Sequence, residues 1–158
     1  MVALGRVDRS LVEDSARTAL AAVLSFLIAR LFGMPEAYWA TISTIIVMQS
    51  TLGAALPISW QRFVGTILGA GAGALISIYF PHNLTVFGVG VFLLGLFCAI
   101  VRLENAYRFA CVTLTITMLI RRDRPAWIVA ENRFVEVSIG IAVALVISAL
   151  WPTERSPA

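Results

Sequence analysis

The chain has 158 residues, 59% of them hydrophobic and only 13% charged, with a mean hydropathy of +0.90. Soluble domains carry about 25% charged residues, so this composition leaves too little polar surface to cover a water-soluble globule and indicates an integral membrane protein. The net charge of +3 comes from arginine alone, with no lysine in the chain, and no basic stripe marks a nucleic-acid-binding face.

A membrane-spanning helix needs about 20 mostly apolar residues. The N-terminal MVALGRVDRSLVEDSART mixes acids with bases and leads into ALAAVLSFLIARLFG. Arg30 interrupts that run and no A-x-A pattern follows, so it reads as a retained first span over 15–32 rather than a cleaved signal. A second span follows Gly33 and Pro35 and covers 36–56, and a third covers 62–80 and stops at Pro81. The fourth covers 84–101, the fifth 106–120 and the sixth 133–151, ended by Pro152. The runs are continuously apolar rather than alternating, which fits helices and not a barrel. Short connections make sequence neighbours antiparallel. The expectation is an all-α polytopic membrane protein, one transmembrane domain over 1–158 with six helices in one bundle. No strong internal repeat stands out. Counting arginines by side puts seven inside and five outside when the termini are cytoplasmic. That is a narrow positive-inside majority, and RRDRPAW at 121–127 counts against it, so charge alone leaves both orientations open.

The second span changes character at VMQSTLG, where Gln49, Ser50, Thr51 and Gly53 follow a long apolar run. Either one helix carries these side chains into the inner half of the bilayer, or the helix stops there and a polar re-entrant bend follows. In both cases the polar groups cannot face lipid unpartnered. They line a solute pathway or hydrogen-bond between helices.

In the third span Gly65, Gly69 and Gly73 recur at i, i+4 spacing, a seam that lets two helix backbones approach closely. GAGAG lies mid-span with no preceding strand and no lysine, so it is not a phosphate loop. Arg62 opens this span, the turn RLENAYR brings Arg102 and Arg108 to one membrane face, and Arg133 and Glu136 lie one turn apart as a candidate ion pair. Arg17 follows Glu13 and Asp14 closely enough to pair with them. Cys98 and Cys111 lie in apolar runs and suggest neither a disulfide nor a metal site. No HExxH, GxSxG or carboxylate dyad occurs, so no cofactor, no metal and no enzymatic activity are expected.

Tyr38-Trp39-Ala40, an apolar stretch, Gln49-x-Thr51-x-Gly53, and then Arg62-x-x-Gly65-Thr66-x-x-Gly69-Ala70 resemble the signature of the fusaric acid resistance and aromatic acid exporter superfamily. The later AYRFA, RFVEVSIG and terminal Trp-Pro are similar to that family's fifth and sixth helices, and the plant aluminium-activated malate transporters are similar in the same places. The resemblance covers 12–152 and is most specific in 38–75. It implies a six-helix unit of the bacterial inner membrane with cytoplasmic termini that exports or conducts organic anions, commonly aromatic carboxylates. Family units are often duplicated or followed by a cytoplasmic region. This chain has one unit, so a homodimer would restore the paired arrangement.

On this reading Gln49, Ser50 and Thr51 hydrogen-bond a substrate carboxylate while Arg62, Arg102 and Arg108 supply positive potential near the cytoplasmic mouth. The lipid bilayer and an organic anion are the partners, with no nucleic acid. The rival readings are a passive anion channel and a non-transporting membrane subunit that packs on another protein through the Gly65, Gly69 and Gly73 seam.

Overall fold

The computed structural model describes residues 9–48, 52–80, 83–119 and 125–151. Among them it is all-helical: α1 (Arg9–Leu31), α2 (Tyr38–Met48), α3 (Leu52–Tyr79), α4 (Leu84–Ile100), α5 (Glu104–Leu119) and α6 (Ala126–Leu150). By length and composition, Ala55–Tyr79 and Ala126–Leu150 are long and apolar enough to cross a membrane, while Tyr38–Met48 and Leu84–Ile100 are apolar but shorter.

Several boundaries differ from the sequence reading, each for a local reason. Within the second span, α2 is Tyr38–Met48 and 52–56 belong to α3, with 49–51 outside the described residues. Pro57 does not end a helix but sits in the second turn of α3. There its missing N–H removes little beyond one bond, to the Gly53 carbonyl. α6 begins at Ala126 rather than Arg133, behind Pro125, whose φ of −57° is already helical. Arg133 and Glu136 therefore lie inside the helix and are buried, instead of marking its interfacial end. α1 starts at Arg9 rather than at 15.

The helix ends follow backbone chemistry. α1 closes on Gly33 at φ 70°, with the Gly33 N–H donating to Arg30 O and the Met34 N–H to Ala29 O. α4 closes in the same way on Arg102 at φ 58°, with bonds to Ala99 O and Cys98 O. Both are left-handed caps that satisfy the last carbonyls of a helix. The Asn83 side chain caps the start of α4 by accepting the Val86 N–H at 2.8 Å. Arg17, 5% exposed, donates to the Trp151 carbonyl at 2.6 Å and lies 3.9 Å from Asp14. It thus places a cation at the C-terminal end of α6, where the helix dipole is negative.

The matching caps of α1 and α4 belong to a larger correspondence. α3 packs on α5 as α6 packs on α2, and α1 packs on α2 as α4 packs on α5. At Gly69 a Cβ would strike the Ala110 carbonyl and Thr113 Cβ; at Gly140 it would strike the Ala40 carbonyl and Ser43 Cβ. Thr113 and Ser43 each donate back along their own helix, to Phe109 O and Trp39 O. At one constant offset, Arg62-Phe63-Val64, Gly69, Ile76, Ser77 and Pro81 correspond to Arg133-Phe134-Val135, Gly140, Ile147, Ser148 and Pro152. The chain is therefore an internal repeat, α1–α3 and α4–α6, contrary to the expectation of none. α3 and α6 run antiparallel: Ala55 clusters with Ile141 and Ala144, whereas Phe63 meets Phe134. Phe63 and Phe134 are counterparts, and their rings touch at 5.2 Å, so the pseudo-two-fold axis passes between them.

Gly65, Gly69 and Gly73 all face α5 of the same chain, against Ala106, Ala110 and Thr117. Gly69→Ala and Gly140→Ala should each cost about 1–3 kcal/mol, because the added methyl must push a backbone away. Gly71→Ala, where a Cβ meets nothing within 4 Å, should be neutral or stabilise by up to about 1 kcal/mol. Unfolding in mixed micelles against a denaturing detergent measures all three.

Candidate functional site

The internal repeat places two arginines in equivalent, buried positions. Arg133, 2% exposed, lies on α6 with its guanidinium 4.4 Å from the centroid of the Trp39 ring. Arg62, 6% exposed, lies on α3 with its guanidinium 5.1 Å from the centroid of the Phe109 ring. Trp39 and Phe109 occupy the same position, one residue before the alanine that meets the packing glycine. Each arginine thus uses an aromatic face from the helix it packs on, a favourable arrangement for a desolvated cation.

The two sites differ in what answers the charge. At Arg133 two carboxylates converge. Glu36 forms an ion pair with Nη2, and Glu136 Oε2 lies 3.3 Å from Nη1. Glu136 is fully buried, and its Oε1 accepts the Glu36 backbone N–H at 3.1 Å. That places a carboxylate at the N-terminal end of α2, where free N–H groups and the helix dipole favour an anion. At Arg62 no carboxylate pairs with the guanidinium among the described residues. Its Nε, like that of Arg133, is buried without a hydrogen-bond partner, and so is Ser59 Oγ, one turn earlier on α3. The counterpart of Glu136 is Gly65, and counting back from Ala40 and Ala110 sets Ala106 opposite Glu36.

The residues expected to form the pathway are only partly gathered. Gln49, Ser50 and Thr51 lie outside the described residues. Arg62 is in the bundle. Arg108 is exposed on α5 and lines an open groove of about 1090 Å³ between α3, α4 and α5, with Gln61, Asn105 and Phe109. Gly88 and Gly95 form part of the groove wall on α4. Arg102 is exposed on the α4–α5 turn, held by the backbone cap described above, and no contact among the described residues joins it to Arg62. Phe109 links the two nearer cations, because its ring packs under Arg62 and also lines the groove beside Arg108. Among the described residues no group of His, Cys, Asp and Glu is placed to hold a metal ion.

Sequence reasoning assigned no role to Glu36, Trp39, Ser59 or Phe109. The recurrence of Arg-Phe-Val in α3 and α6 was the available signal: it pairs Arg62 with Arg133, and it directs attention to the residues facing each. The energetic contrast is testable. Arg133→Met should lower stability by about 3–5 kcal/mol, because it strands the buried Glu136 without its counter-ion. Arg62→Met strands no acid and should change stability by less than about 1 kcal/mol. Denaturing-detergent titrations of the two variants give the comparison.

Comparison with known proteins gives a family and two relatives. The family model described as fusaric acid resistance protein-like matches residues 22–147. The Escherichia coli (strain K12) protein named "Inner membrane protein YeeA" is 28% identical over 147 residues, which covers 89% of this chain and 41% of that protein. An uncharacterized protein of Haemophilus influenzae is 27% identical over 149 residues, covering 92% of this chain and 20% of its own length. The chain thus spans less than half the length of either relative. No solved structure matches significantly.

Proposed function

The chain belongs to the fusaric acid resistance protein-like family, and from that premise and the geometry above we propose that it moves organic anions, aromatic carboxylates in particular, across the inner membrane. All six helices cross or line the membrane domain, the termini are cytoplasmic, and the working form is a homo-oligomer, a dimer in the simplest case. An inner-membrane location is supported by the name of the Escherichia coli relative and by two helices long and apolar enough to cross. Because each half has three helices, an odd number, the two halves enter the membrane from opposite sides. Transporters with such inverted repeats bind their substrates near the middle of the bilayer.

The observation that carries this reading is Arg62, a buried arginine on a membrane-length helix with no acid paired to it among the described residues. A guanidinium in hydrocarbon is costly, and one that persists inside a membrane domain without a protein carboxylate beside it points to an ion or substrate pathway. Arg108 and Arg102 supply positive potential nearer the surface, and Gln49, Ser50 and Thr51 contribute hydrogen bonds to the carboxylate. The reading as a non-transporting subunit is weakened by one contact. The Gly65, Gly69 and Gly73 seam, its natural docking surface, is occupied by α5 of the same chain.

Reconstitution in liposomes tests the proposal. Purified protein should carry a benzoate-class anion down its gradient. Arg62→Gln should reduce that flux by at least tenfold, with oligomeric state and incorporation unchanged. Equal flux in Arg62→Gln and wild-type vesicles, or no flux for any aromatic carboxylate in wild type, would overturn it.

A further inference from the structure

The two arginine sites are versions of one design, and the difference between them is specific. At Arg133 the cation, lying over an aromatic face, is answered by protein carboxylates. At Arg62 the cation and the ring are retained, while glycine and alanine stand where the other half has its glutamates. We infer that Arg62 and Ser59 form a carboxylate-binding site, in which the carboxylate of a bound ligand does for Arg62 what Glu136 does for Arg133.

Three observations support this. First, Ser59 Oγ and Arg62 Nε are buried without hydrogen-bond partners, in residues 5% and 6% exposed one turn apart on α3; Arg133 Nε is also unpartnered, but its guanidinium is answered by carboxylates, as that of Arg62 is not among the described residues. A hydroxyl and a guanidinium at that spacing offer converging donors to one anionic group, and charge-assisted bonds of this kind are the stronger ones. Second, the structure indicates on which side of Arg62 the ligand sits. Towards Gly65 the space is filled: a Cβ there would lie 2.6 Å from the Ala106 carbonyl and 2.7 Å from Phe109 Cβ. The unpartnered groups lie the other way along α3, towards Ser59. The carboxylate therefore approaches from the N-terminal part of α3, the end that follows the polar Gln49-Ser50-Thr51 segment in the chain. Third, the companion half shows that this fold holds a planar carboxylate against an arginine that lies over a ring. A planar carboxylate is thus favoured over a tetrahedral anion such as sulfate. The ring of Phe109 beneath Arg62 suits a ligand whose body is apolar.

This inference rests on the anion-transport reading for its purpose but is tested by binding, which needs no flux. The probe is radiolabelled benzoate, titrated onto the purified full chain in detergent, with benzamide and sulfate as competitors. Wild type should bind one benzoate per chain. Excess unlabelled benzoate should displace it, and benzamide or sulfate should displace it at least tenfold less well. Arg62→Gln should weaken binding at least tenfold, and Arg62→Lys should restore part of it. A triple variant, Ala130→Ser with Glu36→Ala and Glu136→Gly, gives the Arg133 site the counterparts of Ser59, Ala106 and Gly65 and should raise the stoichiometry to two. If that variant does not fold, the Arg62 series decides the question alone. Undiminished binding in Arg62→Gln, displacement by sulfate as effective as by benzoate, or a stoichiometry that stays at one in a folded triple variant would each overturn the assignment. Arg62-dependent binding without flux in liposomes would instead overturn the transport reading and leave the site in place.

Discussion

The structure is organised around the cost of an arginine where water is scarce. Removing a guanidinium from water is expensive, and the surrounding protein must supply what water did. This fold supplies the same first answer twice, an aromatic face from the neighbouring helix, at Trp39 for Arg133 and at Phe109 for Arg62. For that face to come within reach, the helices must approach closely at the residues just beyond it. The glycines at 69 and 140 permit this, each with an alanine carbonyl pressed against it. The small-residue seams and the buried cations are therefore parts of one arrangement, and the crossing of α3 with α6 is what places the two copies back to back.

The halves then diverge in charge. One half closes its site with Glu36 and Glu136 and ties the start of α2 to α6 through the Glu36 N–H. It is a rigid internal brace. In the other half no acid pairs with the cation among the described residues, and a glycine-walled groove lies nearby, lined by Gln61, Asn105 and Arg108. This repeat has one copy that carries the ion-paired contact and another that, under the proposal above, is released for binding. It gives the binding half a partner against which to move.

Much of this was legible before any coordinates. The apolar runs gave six helices, and three of them begin within about two residues of their expected starts. The i, i+4 glycines announced a tight seam, and Arg133 and Glu136 announced a pair. Charge and proline misled where burial overrode them. Arg133 looked like an interfacial residue because arginines usually are, yet two of its partners, Glu36 and Trp39, come from a segment nearly a hundred positions away in the chain. Pro57 looked like a terminator, although near a helix start a proline costs little. The repeat stayed hidden because its halves share few identities, scattered among apolar residues that are interchangeable in hydrocarbon. The backbone contacts bring the alignment out, because Gly69 meets Ala110 as Gly140 meets Ala40. The partners of Arg62 could not be read at all, since a guanidinium's neighbours depend on helix rotation, which hydropathy does not encode.

The contact between Phe63 and Phe134 has one more consequence. A ring that meets its own counterpart belongs to neither half alone, so enlarging or trimming either side chain alters the seat of both three-helix units at once. Such a spot behaves as a bearing: if the units rock against each other, these rings are the point that travels least. They are then where a bulky replacement would jam the motion while leaving both arginine sites chemically intact.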